Sequence, residues 1–202
     1  MKTQIFFIIF FLITICASSQ NESIFPESWS VNEPSKDNPY GKSNSNAIPQ
    51  LKDYDKLIGI CACKSTRLQP DGKWSDSIAL KWRWKYIMNG NGVQDEGWYG
   101  DKNNVSYFTS IRVYDQVNKT WYVTYFSPNL NNEPDTWTGG VKSGNIILKG
   151  NIKTPTGDIP SILTFSNISE KGFDWEGKIL SSEEDTTGNS FWKIHCKKIG
   201  SK

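Results

Sequence analysis

Few residues in this 202-residue chain have the chemistry of a nucleophile, a base or a metal ligand. The single histidine is His195. A catalytic triad would set it beside a Ser or Cys and a carboxylate. Its neighbour Cys196 points the other way if the segment is a regular strand, because successive strand side chains alternate sides. His195 shares its side with Phe191 and Lys193, opposite the apolar positions, and reads as an exposed strand histidine. Cys61, Cys63, Cys196 and His195 formally make a zinc set. A C-x-C on a strand spreads its thiols along one face, however, and His195 faces away, so no tetrahedral metal site is expected. Asp95, Glu96, Asp174 and Glu176 flank Trp98 and Trp175 and are of the type that serves as acid or base. Nothing in the sequence pairs them, and solvated strand-end charges are the plainer reading, so no catalytic residue is assigned.

Two sets of residues are better suited to binding. Arg112 stands mid-strand between Ile111 and Val113. Facing inward it would clamp a ligand carboxylate bidentately; facing outward it would pair with an acidic residue on a neighbouring strand. Both readings stay open. Trp82, Trp84, Trp98, Trp121, Trp137 and Trp175 either line an apolar ligand cavity or fill it, as side chains fill small barrels. A residual cavity is expected at one mouth, near Trp98, Trp121 and Trp137.

The elements that must position these residues are strands. From Trp74 to Met88 every second residue is large and apolar with the exception of Asp76, while the intervening set is mostly small or cationic. That is the pattern of a long strand with one buried face. Asn89-Gly90-Asn91-Gly92 then supplies a hairpin turn. Ten strand candidates follow one another between turn signals: 57–68, 74–88, 93–99, 105–114, 120–127, 135–142, 145–149, 161–167, 173–181 and 190–198. A short helical turn is expected at 49–56. With no sustained helical period between them, the strands must be mostly antiparallel. Consecutive hairpins favour a single all-β, up-and-down antiparallel barrel of about ten strands, which leaves no exposed edge. First and last strands are then neighbours, and Cys196 comes within reach of Cys61 or Cys63. A cross-strand disulfide and three small buried thiols are both compatible with the sequence.

The remainder of the chain is read by composition. Lys2, the apolar run 5–15 and Ala17-Ser18-Ser19 make residues 1–19 a signal peptide, so an exported, periplasmic or extracellular protein is expected. Ile15 is bulky where lipidation of Cys16 would want a small residue, which argues against a lipid anchor. Residues 20–48 are rich in Ser, Asn, Pro and Glu and read as a flexible polar tail, with Trp29 the exception; the barrel domain is 49–202. Formal net charge is +2, which excludes the strongly basic surfaces used for nucleic acid or anionic membrane. No membrane insertion is expected.

An ordered series of short motifs adds a resemblance. Asp55-Lys56-Leu57-Ile58-Gly59 leads into the first strand, Asp71-Gly72 makes a turn, and Val93-Gln94-Asp95-Glu96-Gly97-Trp98 follows the hairpin. Ile111-Arg112-Val113-Tyr114-Asp115, Thr120-Trp121, Trp137-Thr138-Gly139-Gly140 and Phe173-Asp174-Trp175 complete it. Over residues 50–198 the chain resembles a bacterial family of calycin-like domains. That implies a lipocalin-like or nitrobindin-like barrel, and it brings no reaction with it. Lipocalins begin the barrel with Gly-x-Trp, where this chain has Gly59-Ile60-Cys61, so the usual floor-plugging Trp is missing. In nitrobindin-like barrels a late-strand histidine holds haem, which makes His195 a haem-ligand candidate against its parity; no cofactor is otherwise expected. The expected function is non-catalytic binding of a small, largely apolar ligand. The alternatives are an isomerase- or lyase-type enzyme using Asp95 or Glu96 with Arg112, and an extracellular glycan-binding or adhesion module with Trp98 and Trp137 exposed.

Overall fold

The computed structural model describes residues 25–128, 133–182, 184–185 and 187–200. The expected signal peptide lies outside the described residues. Ten strands follow in order: β1 (Gly59–Arg67), β2 (Ile78–Ile87), β3 (Gly92–Asp101), β4 (Asn104–Asp115), β5 (Thr120–Phe126), β6 (Asp135–Lys142), β7 (Asn145–Thr154), β8 (Gly157–Ser169), β9 (Gly172–Ile179) and β10 (Asn189–Gly200). Each pairs antiparallel with the next, and β10 pairs back onto β1, closing an up-and-down barrel. Closure gives every strand two partners and leaves no edge to template aggregation.

The alternating pattern places Leu80, Trp82, Trp84 and Tyr86 inside, as their spacing requires. It does not extend to the ends of the 74–88 segment. Trp74 makes only an isolated bridge with Leu68 and is 39% exposed; Met88 is 47% exposed. Met88, Asn89 and Gly90 all adopt left-handed backbone, so the turn begins at Met88. Gly90 is also needed sterically, since a Cβ there would collide with the backbone of Lys42–Asn44. The pairing of β7 with β8 runs to Thr154 opposite Gly157, making both strands longer than the sequence pattern suggests.

One end of the barrel is plugged from outside the sheet. A 3-10 turn, Pro49–Tyr54, lays Leu51 and Tyr54 across that end, followed by buried Leu57 and Ile58. The Tyr54 ring meets Trp121 edge-on with centroids 4.8 Å apart and lies over Trp84 at 5.9 Å. Trp121 Nε1 donates to Asp53 at 3.0 Å, tying the turn to the wall. Tyr54 thus fills this end of the barrel from outside the sheet.

Residues 25–48 do not stand off as a loose tail. The backbone N–H of Tyr86 donates to Tyr40 O at 2.9 Å, that of Asn44 to Gly90 O at 3.0 Å, and that of Asn32 to Asn89 Oδ1 at 2.9 Å. The segment is hydrogen-bonded along the β2–β3 hairpin, whose left-handed turn exposes backbone groups for it. Trp29 stays exposed and packs on Phe25.

Cys63 and Cys196 stand opposite each other in the β1–β10 register and form a disulfide. Cys61 stays a buried free thiol, and burial pushes its pKa up to about 11, which makes it a poor nucleophile.

Candidate functional site

Opposite the plug, the barrel encloses a cavity of about 200 Å³. Its deep end is built by β2, β3 and β4. Asp95 and Arg112 both face inward and are 0% and 3% exposed as side chains. Arg112 Nη1 donates to Asp95 Oδ1 at 2.5 Å, and the Ser110 backbone N–H donates to the same oxygen at 3.1 Å. Asp95 Oδ2 accepts from Trp82 Nε1 at 2.5 Å. The carboxylate therefore has three donors, one of them a full charge, which is what makes a buried ion pair tolerable. The Arg112 guanidinium also lies 4.4 Å over the Trp84 ring. The two sequence readings of Arg112 thus combine: it faces the interior and it pairs with an acidic residue of the neighbouring strand.

Apolar rings form the middle of the cavity. Trp82, Phe108, Trp137, Leu163, Phe165 and Trp175 line it. Trp137 Nε1 donates to Ser161 Oγ at 2.9 Å, so this indole presents only its apolar face inward. At the mouth stand Arg67, Tyr125, Asp135, Ile152 and Trp192. Burial pushes the Tyr125 phenol up to about 12. Burial also raises the Asp135 carboxyl above the ordinary carboxylate range, opposed by the Lys153 backbone N–H that donates to it at 2.7 Å.

Four of the seven sequence-predicted binding residues, Trp82, Arg112, Trp137 and Trp175, reach this cavity. Trp84 and Trp121 face inward but are buried in the floor against Tyr54. Trp98 is displaced altogether: it lies opposite Lys81 in register, on the outer face, with Arg83 5.3 Å from its ring. Counting the strand parity from Asp95 instead of from the bulky residue would have placed Trp98 outside. Glu96 is outside too, bridged to Arg83 at 2.6 Å and Lys85 at 3.3 Å, and so cannot serve an interior reaction. Asp174 and His195 pair on the outer face at 2.6 Å, and Asn167 also donates to Asp174. His195 thus faces away from the cavity, and two of the three cysteines of the formal zinc set are joined in the disulfide. Glu176 likewise faces outward, between Lys178 and Lys193. Arg67, Phe108, Asp135 and Trp192 also line the cavity but are absent from the sequence reading, which singled out Arg112 and six tryptophans.

The architecture is that of a calycin-like barrel, and comparison with solved structures gives the same class. Rv2717c from M. tuberculosis matches with a TM-score of 0.54 at 9% identity, over 76% of this chain and 99% of that one. The S-type phycobiliprotein lyase CPES from Guillardia theta matches with a TM-score of 0.50 at 7% identity, over 75% of this chain and 93% of that one. At such identities the likeness is one of fold. No protein-family model matches the sequence, and no curated protein matches it either.

Proposed function

We propose that this chain is an exported, non-catalytic carrier of a small, largely apolar molecule held inside the barrel. One observation carries the reading: a cavity of about 200 Å³, open at one mouth and walled largely by aromatic and aliphatic side chains, in which the deep charges among the described residues, Arg112 and Asp95, cancel each other. A pocket of this kind, apolar with a few placed polar groups, is what small-molecule sites share. Asp95 already accepts from Arg112, Ser110 and Trp82, so three of its roughly four acceptor sites are committed to holding the fold rather than offered to a substrate. That favours carriage over an isomerase or lyase reaction. The Cys63–Cys196 disulfide suits an oxidising compartment, as the composition of residues 1–19 does.

Native mass spectrometry of the full chain after purification from its own host tests the proposal. A retained or added apolar ligand at one copy per chain is expected. Val123→Phe, which pushes a ring into the cavity wall, is expected to abolish that binding while the protein stays folded. Retention of the ligand by a folded Val123→Phe variant would move the site elsewhere.

A further inference from the structure

The cavity contains two arginines, and they stand in opposite electrostatic states. Arg112, at depth, is neutralised by Asp95 at 2.5 Å, and both side chains are cut off from water. A ligand carboxylate drawn to Arg112 would leave two anions sharing one cation there. Burying that uncompensated charge costs more than a single charged hydrogen bond returns.

Arg67, at the mouth, makes no ion pair among the described residues. Its guanidinium carbon lies 3.9 Å over the Trp192 ring and 5.5 Å from Tyr99. Trp192 is itself fixed. Its Nε1 donates to the buried Ser65 Oγ at 2.7 Å, and its ring packs edge-on against Trp175 with centroids 5.1 Å apart. An aromatic platform therefore holds an unpaired cation at the rim, where a planar guanidinium keeps its in-plane donors free for a carboxylate. The carboxylate on the same rim, Asp135, takes its hydrogen bond from Lys153.

Resting on the cavity being the ligand site, we propose that the ligand is an amphipathic anion lying head-out. Its carboxylate meets Arg67 at the mouth, its apolar body fills the space between Phe108, Phe165 and Trp175, and none of its charge reaches Arg112. Arg67 is then the residue that determines specificity for an acid over its uncharged counterpart. The volume suits a body of about ten non-hydrogen atoms at interior packing density.

Octanoate and octan-1-ol make a matched probe pair for the test, with binding followed by quenching of tryptophan fluorescence in the full chain. Octanoate is expected to bind about five-fold more tightly, the scale of a solvent-reached ion pair. Arg67→Gln is expected to remove that preference by weakening octanoate more than octan-1-ol, and Arg67→Lys to restore part of it. The carboxyl carbon of bound ¹³C-octanoate is expected to titrate with pH as a group in contact with water. A preference that survives Arg67→Gln, or a bound carboxyl that does not titrate, overturns the head-out orientation. Equal binding of the two probes also overturns it, while leaving the carrier reading intact. Binding of neither probe overturns both.

Discussion

At the floor of the barrel, Tyr54 is clamped between Trp84 and Trp121 beside an ion pair sealed from water; at the mouth, Arg67 lies on Trp192 with its charge unanswered among the described residues. Both ends use the same materials, an arginine and aromatic rings. They differ in whether the charge has been cancelled within the fold. Cancelled and dry, the arginine serves the structure; uncancelled and at the rim, it is available to a ligand. The floor carries one residual tension. Tyr54 Oη, Trp84 Nε1 and Arg112 Nε are buried with no hydrogen-bond partner among the described residues. These polar atoms belong to side chains packed on one another, out of reach of the solvent that would otherwise satisfy them. Burial accordingly pushes the Tyr54 phenol up to about 12, although the nearby Arg112 charge pulls it down.

The largest expected effect comes from breaking the cancelled charge. Arg112→Met leaves Asp95 buried with no counter-charge and should cost about 3–5 kcal/mol in chemical denaturation. The double variant Asp95→Asn with Arg112→Met should recover much of that loss, because no buried ion is then left alone. If the double variant is no more stable than the single one, charge cancellation is not what holds the floor. Next in size is the disulfide. Cys63 and Cys196 are 133 residues apart in sequence. Replacing both with Ala should cost about 2–4 kcal/mol, chiefly by freeing the unfolded chain, and should leave ligand affinity alone. Tyr54→Leu comes third: about 2 kcal/mol for a partly filled plug, with binding at the far end unchanged. Loss of binding in Tyr54→Leu would mean that the two ends are coupled, against the separation drawn here.

The barrel was readable in the sequence because strand alternation and hairpin turns are local signals. Leu80, Trp82, Trp84 and Tyr86 declare their own face. Closure followed from an unbroken run of hairpins, and the Cys63–Cys196 pair lies across the seam that closure creates. The site was less readable, for three physical reasons. Parity is lost where a small residue faces inward: Gly97 occupies an interior position so that the Phe108 ring can take the space, which made the bulky Trp98 look like the inward one. Composition is a poor guide where polar backbone pairing replaces apolar burial, as in residues 32–44 along the hairpin. And Tyr54 and Arg67 act through contacts with residues far away in sequence, Trp121 and Trp192, which no short window relates to them.

The smallest effect expected sits at the mouth, on Asp135. Burial holds its carboxyl pKa above that of the unfolded chain. Below pH of about 3.9 the group is protonated in both states and contributes nothing. As pH rises past that value the unfolded chain releases its proton first, so the folded state loses ground until the pH has passed the raised folded pKa. Asp135→Asn removes the titration while its amide oxygen can still accept from the Lys153 N–H. The variant should therefore be slightly more stable than the parent at pH 7, by a few tenths of a kcal/mol given how much water reaches the group. The gap should close as pH falls toward 3.9. It should also bind octanoate a little more tightly at neutral pH, since one negative charge has left a rim where a carboxylate is to dock. Melting temperatures and octanoate titrations of the two proteins between pH 3 and 8 would check both. A variant less stable than the parent at pH 7, with the deficit closing on acidification, would mean that Asp135 is stabilised as the ion, and that the mouth, like the floor, has its charges answered within the fold.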